Sequence, residues 1–347
     1  MRITWLSSRV LGTDLCSTTQ VNLAEGLVAR GHEVTMYSPG KVYNQSFTHI
    51  PVKRSSIRGL QGRSVARQLA KRRKDIAYSD VVLIDWTLGS LQRYFDTPTI
   101  LMDRGPPADK GLLSWLQWFV WKKAWSKAAR GTVVSQAHRE FVMEKTGMPS
   151  ASIGILPAGV KLDNFNPGER TGPIDMVYHG RVDSRRGVRA MPAILVGLHD
   201  AGIEARLHIH GDGDALTALK AIQMKGLNVT GPLPQEELAN LLSTYDVGLL
   251  PMPADRVWNL ASPLKRSEYL ASGLIVAGID HGGHRIKDSG DWLQLFSQEE
   301  LVKNTVDWIM SLDRQMITAL QKEAREYAEE HSSWSHSVDA LESMISS

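Results

Sequence analysis

The segment from Ser262 to Gly273, S-P-L-K-R-S-E-Y-L-A-S-G, places two cations and a carboxylate at what reads as a helix start. Ser262 suits an N-cap, and Pro263 suits the first helical position, followed by Leu264. Free N–H groups of such a first turn, with the helix dipole behind them, bind anions. Lys265 and Arg266 would add full positive charge. Glu268 follows Lys265 by about one turn, where a carboxylate can accept hydrogen bonds from sugar hydroxyls. This order of groups suits a nucleotide diphosphate. The same string also fits an ordinary surface helix of mixed charge.

The elements around this segment alternate. Gly273 closes the helix, and Leu274 to Gly278 reads as a buried strand. Upstream, residues 2–7 and 33–37 are strand-like, with a helix over roughly 18–31 between them. Val81 to Asp85, Thr99 to Asp103 and Gly131 to Ser135 are short, apolar and β-branched, as buried parallel strands are. Leu156 to Arg170 breaks the pattern with prolines and glycines and reads as a linker. The alternation then restarts with D-M-V-Y-H-G, a helix over Gly187 to Ala201, and A-R-L-H-I-H-G. The expected architecture is α/β, two Rossmann-like doubly wound domains facing a cleft. Their expected extents are 1–160, joined by a C-terminal helix at about 332–347, and 161–331.

Two further stretches bear on partners. Lys53, Arg54, Arg58, Arg63, Arg67, Lys71, Arg72, Arg73 and Lys74 fall in one run without an acid. It fits a solvated face or mobile loop, or a site for something anionic: a phosphorylated acceptor, an anionic membrane surface or nucleic acid. From Leu112 to Lys127, Trp118, Trp121 and Trp125 recur at helical spacing, with Lys122, Lys123 and Lys127 interleaved. Such a helix either lies at a membrane interface or packs its tryptophans into a core.

In its C-terminal half the chain resembles the donor-binding domain of the family 4 retaining glycosyltransferases, which have the GT-B fold. The blocks that carry the resemblance run in order: G-R-V-D-S-R-R-G-V from Gly180, H-I-H-G-D-G from His208, N-V-T-G-P-L-P-Q-E-E-L from Asn228, and Y-D-V-G-L-L-P from Tyr245. The Ser262 segment, H-G-G-H from His281 and E-H-S-S-W-S-H-S-V from Glu330 complete them. The N-terminal half resembles the family in layout only. The resemblance implies a nucleotide-sugar donor, retention of anomeric configuration and no metal or other cofactor. It implies that Arg181, Arg186 and Lys265 bind the diphosphate and stabilise the leaving nucleotide. Glu268 would hold the ribose. Pro232 and Leu233 would face the nucleobase, and Gly211, Pro263, Leu264 and Gly12 would line the donor. For each arginine a surface ion pair is the alternative.

The chain also departs from the family pattern. The paired glutamate expected eight positions before Glu268 is Leu260, with Asp255 as the nearest carboxylate. Arg285 stands near where a glutamate often follows the glycine pair. In the N-terminal half, Asp85 and Asp103 end expected strands, and D-R-G-P-P-A-D from Asp103 is a rigid loop. Asp103 is expected in the catalytic set with Arg181, Arg186, Lys265 and Glu268, unless it caps a turn. Arg104, Trp118, Trp121, Lys122, Lys123, Arg72 and Arg73 are expected to meet an acceptor or a membrane.

Composition narrows the classes. Charged residues make up 22% and net charge is +3, ordinary for a globular chain. One cysteine, Cys16, excludes an internal disulfide framework and suits a reducing compartment. No apolar run is long enough to span a membrane, and the N-terminus does not read as a signal peptide. The expectation is a cytoplasmic protein, peripheral on the cytoplasmic membrane face if the basic run and tryptophan helix work together. Its expected partners are a nucleotide sugar and a saccharide or lipid-linked acceptor, without nucleic acid. The histidines form no metal motif. The alternative is a non-catalytic GT-B homologue serving as a binding or scaffold subunit. A GT-B epimerase fits the block order less well.

Overall fold

Short β-branched runs alternating with helices fold, in a computed structural model that describes residues 1–14, 17–57, 59–108 and 111–346, into two units. Cys16, Arg58 and Asp109, which enter the expectations above, lie outside the described residues.

The first unit comprises Met1–Ala158 and the chain from Trp334 onward. Its strands are β1 (Arg2–Leu6), β2 (Glu33–Ser38), β3 (Thr48–Pro51), β4 (Val81–Asp85), β5 (Thr99–Met102), β6 (Arg130–Val133) and β7 (Ile153–Ile155). They form one parallel sheet in the order β3-β2-β1-β4-β5-β6-β7. Ile3 on β1 registers with Val34 on one side and Val81 on the other. Helices α1 (Ser17–Ala29), α2 (Gln61–Lys71), α3 (Arg73–Ile76), α4 (Leu112–Trp125) and α5 (Gln136–Thr146) connect the strands, with a 3-10 run at Trp86–Tyr94. The basic run therefore builds α2 and α3, whose Val65, Leu69 and Ile76 are buried while its cations stay outside.

The second unit spans Gly159–Ser333. Strands β8 (Ile174–Arg181), β9 (Ala205–Asp212), β10 (Leu227–Thr230), β11 (Val247–Leu250), β12 (Ile275–Ile279) and β13 (Leu293–Phe296) make a parallel sheet. Its order is β10-β9-β8-β11-β12-β13. The helices are α6 (Met191–Asp200), α7 (Leu216–Lys220), α8 (Gln235–Leu242), α9 (Arg256–Asn259), α10 (Leu264–Ala271), α11 (Leu301–Met310) and α12 (Arg314–His331). α13 (Trp334–Ser346) then returns to the first unit, where Glu342 pairs with Arg30 at 2.7 Å and Ser337 donates to the Pro157 carbonyl at 2.8 Å. Both strand orders reverse direction once, next to β1 and next to β8. In doubly wound sheets, ligands bind at the carboxyl ends of the strands beside such a switch.

Candidate active site

Tyr178, His179, Gly180 and Arg181 end the longest stretch of β8, and the first turn of α10 packs against them. Gly180 adopts φ +101°, and a side chain there would come within 3.1 Å of Cε and Nζ of Lys265. Glycine suits the backbone conformation, and it leaves room for the close approach of the lysine tip. The ammonium lies 5.2 Å from the centre of the Tyr178 ring. Burial pushes the Lys265 ammonium down to about 8, Arg186 adds repulsion, and Glu268 opposes both. Glu268, three positions on, shares this face, and its side chain is 14% exposed. Burial pushes its carboxyl up to about 7, with Lys265 pulling the other way.

The histidine before Gly180 completes the group, and nothing in its spacing marked it. His179 Nε2 lies 3.3 Å from Glu268 Oε2 without the alignment of a hydrogen bond. Its ring stands edge-on to Tyr269, centroids 5.3 Å apart. Burial, then Lys265 and His210, hold it well below the ordinary histidine value, so it is neutral. Burial weakens the charged forms of both groups, and a bound ligand could restore them. Hydroxyls donating to Glu268 and an anion accepting from Lys265 would supply the missing partners.

The two arginines differ. Arg181 is exposed and pairs with Asp183 at 2.9 Å and Asp212 at 3.7 Å, the surface ion pair that the sequence left open. Arg186 is mostly covered. Its guanidinium stacks 4.3 Å above the Trp258 ring and lies 3.8 Å from Asp183. Trp258 was not singled out from sequence; only the fold brings α9 under Arg186.

Several expectations need correction. The helix begins at Leu264 with Pro263 at the N-cap, one residue later than the sequence suggested. Arg266 does not join Lys265. It turns into the protein and donates to the carbonyls of Gly283, His284 and Arg285 at 2.8, 3.0 and 3.3 Å, tying down the H-G-G-H loop. Arg285 is exposed and paired with Asp280 at 2.7 Å. Leu260 is buried, and Asp255 is an exposed residue at the start of α9. Gly211 lacks a side chain because one would run into the Gly180 carbonyl across the β8–β9 pair. Pro232 is exposed and Leu233 half-buried in the loop between β10 and α8.

In the first unit, Gly12 has φ +88°, and a Cβ there would lie 2.9 Å from the Lys41 carbonyl, so the loop's own packing accounts for it. Asp103 is wholly enclosed rather than at a ligand surface. Its Oδ2 accepts from Trp121 Nε1 at 2.6 Å and Trp125 Nε1 at 2.9 Å, and its Oδ1 from the Gly105 amide at 2.9 Å. Burial alone would raise this carboxyl; His138, Trp125 and Gly105 outweigh it and hold the group below the ordinary carboxylate value. Trp121 is therefore a core residue, not a membrane contact, and Trp118 packs edge-on against it at 5.3 Å. The exposed apolar face of α4 consists instead of Trp115, Leu116, Phe119 and Val120, flanked by exposed Lys122 and Lys123. Arg104 is half-buried and held by the Leu156 carbonyl at 3.3 Å and Thr19 Oγ1 at 3.0 Å. Asp85 is buried and accepts from Ser7 Oγ at 2.6 Å. Arg72 and Arg73 are exposed, Arg72 lying 5.9 Å from the Tyr37 ring.

Known proteins place the fold. The family model Glycosyltransferase Family 4 matches residues 17–164, the half that the sequence blocks tied to that family by layout alone. No curated protein matches by sequence. Among solved structures, sucrose-phosphate synthase from Thermosynechococcus elongatus superposes with a TM-score of 0.77 at 16% identity, covering 100% of this chain and 98% of that one. A glycosyltransferase from Rickettsia africae gives 0.75 at 13% identity, with 99% and 97% covered. Anabaena HepE in complex with UDP-glucose gives 0.71 at 12% identity, with 100% and 99% covered. The chain has the GT-B fold of these glycosyltransferases, and its residues 17–164 match the model of Glycosyltransferase Family 4.

Proposed function

We propose that the protein transfers a sugar from a nucleotide-sugar donor to an acceptor, with retention of anomeric configuration and without a metal. The observation that carries this reading is the pairing of Lys265 and Glu268 on one face of α10, against the carboxyl end of β8 at the strand-order switch. Lys265 takes the diphosphate and Glu268 the ribose hydroxyls. Arg186, steadied by Trp258, and Arg181 neutralise charge on the departing nucleotide. Three cations at the leaving group do the work that a metal ion does elsewhere. The support from relatives is of kind: the HepE structures hold UDP-glucose or UDP with glucose, and a starch synthase IV structure from Arabidopsis thaliana holds ADP and acarbose. The acceptor in this reading is membrane-associated, because α4 exposes Trp115 and Phe119 beside Lys122 and Lys123, and α2 and α3 expose a further set of cations.

The test is turnover of UDP-glucose and ADP-glucose by the purified chain, with and without EDTA, and the anomer of any product read by NMR. Turnover that survives EDTA and falls at least a hundredfold in both Lys265→Ala and Glu268→Ala supports the reading. A folded wild type that neither binds nor turns over either donor favours the non-catalytic alternative, to which Leu260 in place of a glutamate points.

A further inference from the structure

We propose that the first unit holds a second ligand site, a cavity that receives the phosphate of an anionic acceptor; it rests on the glycosyltransferase reading only in calling that ligand an acceptor. The cavity has a volume of about 880 Å³ and lies wholly within this unit. Among the described residues, five of its lining residues are arginines, Arg9, Arg54, Arg63, Arg67 and Arg93, and none is an aspartate or glutamate. Arg9 follows β1, Arg54 follows β3, Arg63 and Arg67 project from α2, and Arg93 belongs to the 3-10 run after β4. Four separate segments of chain thus bring like charge to one hollow.

Like charges so placed repel unless something neutralises them. Arg54 has a counter-ion, Asp14, at 3.1 Å. Arg93 donates to the neutral Tyr94 hydroxyl at 2.6 Å. Arg9 feels Asp85, but that carboxyl is buried and already held by Ser7 and Ser8. Arg63 and Arg67 lie one turn apart on α2 and have no ion pair among the described residues. Guanidinium forks at that spacing match the oxygens of one phosphate. The remaining wall says what the phosphate is attached to. The Ser8 and Thr87 hydroxyls hydrogen-bond each other at 2.6 Å, which leaves one hydroxyl proton and lone pairs for a sugar. Leu116 and Val120, from the exposed face of α4, make an apolar margin. The fit is to a sugar phosphate or to the phosphate of a lipid carrier.

Calorimetry on the full chain tests this with glucose 1-phosphate, geranyl phosphate and uncharged geraniol, and with UDP-glucose as the donor probe. At least one phosphate probe is expected to bind, and geraniol to bind at least tenfold more weakly than geranyl phosphate. Arg63→Ala/Arg67→Ala should weaken the phosphate probe at least tenfold and leave UDP-glucose unaffected, while Lys265→Ala should do the reverse. Tighter binding of geranyl phosphate assigns the cavity to a lipid carrier, and tighter binding of glucose 1-phosphate to a soluble sugar phosphate. The proposal is overturned if neither phosphate binds, if the arginine pair makes no difference, or if Lys265→Ala abolishes phosphate-probe binding. Absent UDP-glucose binding alone would count against the donor reading and leave the cavity standing.

Discussion

Glu268 and Lys265 share a helical face, and burial drives both toward their neutral forms from opposite directions. Donor binding in the proposed mode needs both charged. The Glu268 carboxyl must lose its proton to accept from ribose hydroxyls, so affinity should rise as pH climbs through about 7. Lys265 must keep its proton, so affinity should fall again above about 8. His179 stays neutral throughout that window and adds no limb of its own. A nucleotide sugar carries no phosphate monoester, so the ligand does not titrate there either. UDP-glucose affinity is therefore expected to follow a bell with its maximum between the two values. Glu268→Gln should be weaker at the maximum and lose the acid limb; an acid limb that persists in this variant would assign the titration elsewhere. The pair was legible in the sequence because residues three apart on a helix share a face. Grouping Arg266 with Lys265 could not hold for the same reason, since neighbours on a helix point about 100° apart. His179 and Trp258 were not legible. Their roles come from how β8 and α9 are placed against α10 and Arg186, and no local spacing encodes that.

Helix α4 shows what periodicity conveys about an element and what it omits. Trp121 and Trp125 fall on one face by their spacing, yet spacing does not say whether that face meets lipid or protein. The end of β5 decides it, because Asp103 accepts from both indoles inside the core. Hydrogen bonds to a buried carboxylate are worth roughly 1.5–3 kcal/mol each, and removing the acceptor strands both indoles and the Gly105 amide. Asp103→Ala is expected to destabilise the protein by about 3 kcal/mol, read as the urea midpoint. Glucose 1-phosphate and UDP-glucose binding should persist wherever the variant remains folded. Full stability with lost ligand binding would return Asp103 to a functional role. The central strands were readable from β-branched runs, whereas β3 (T-H-I-P) and β7 (I-G-I) were not. Both are edge strands of three or four residues, too short for a pattern and held by pairing on one side. The two doubly wound units followed from the restart of the βα alternation after residue 170. The family match to residues 17–164 shows that the N-terminal half carried more identity than its layout alone revealed.

At the scale of the whole chain, net charge is a poor guide to partners, because +3 is the balance of 40 basic and 37 acidic residues. Distribution matters more. The first unit exposes Arg63, Arg67, Lys71, Arg72, Arg73 and Lys74 along α2 and α3, and Lys122 and Lys123 beside the apolar face of α4. No described helix is long and apolar enough to cross a membrane. Trp115 at 66% and Phe119 at 60% exposure are the side chains free to enter an interface. Burying such a ring is worth about 1.5–3 kcal/mol, and each lysine or arginine near an anionic surface adds roughly 1 kcal/mol at low salt. Neither contribution anchors the chain alone, so binding should require both. In co-sedimentation the chain is expected to bind vesicles containing phosphatidylglycerol at low salt and to ignore pure phosphatidylcholine. Half-molar salt should release it, because the Debye length is then only about 4 Å. Trp115→Ser/Phe119→Ser should weaken binding tenfold or more without changing the affinity for UDP-glucose. If charge were the whole interaction, that double variant would bind as wild type does. If the apolar face were covered by protein, the wild type would ignore anionic vesicles even at low salt, and the membrane-associated acceptor would fall with it. Such a result would leave the arginine-lined cavity to a soluble phosphate, since its ligand is set by Arg63 and Arg67 rather than by the surface around it.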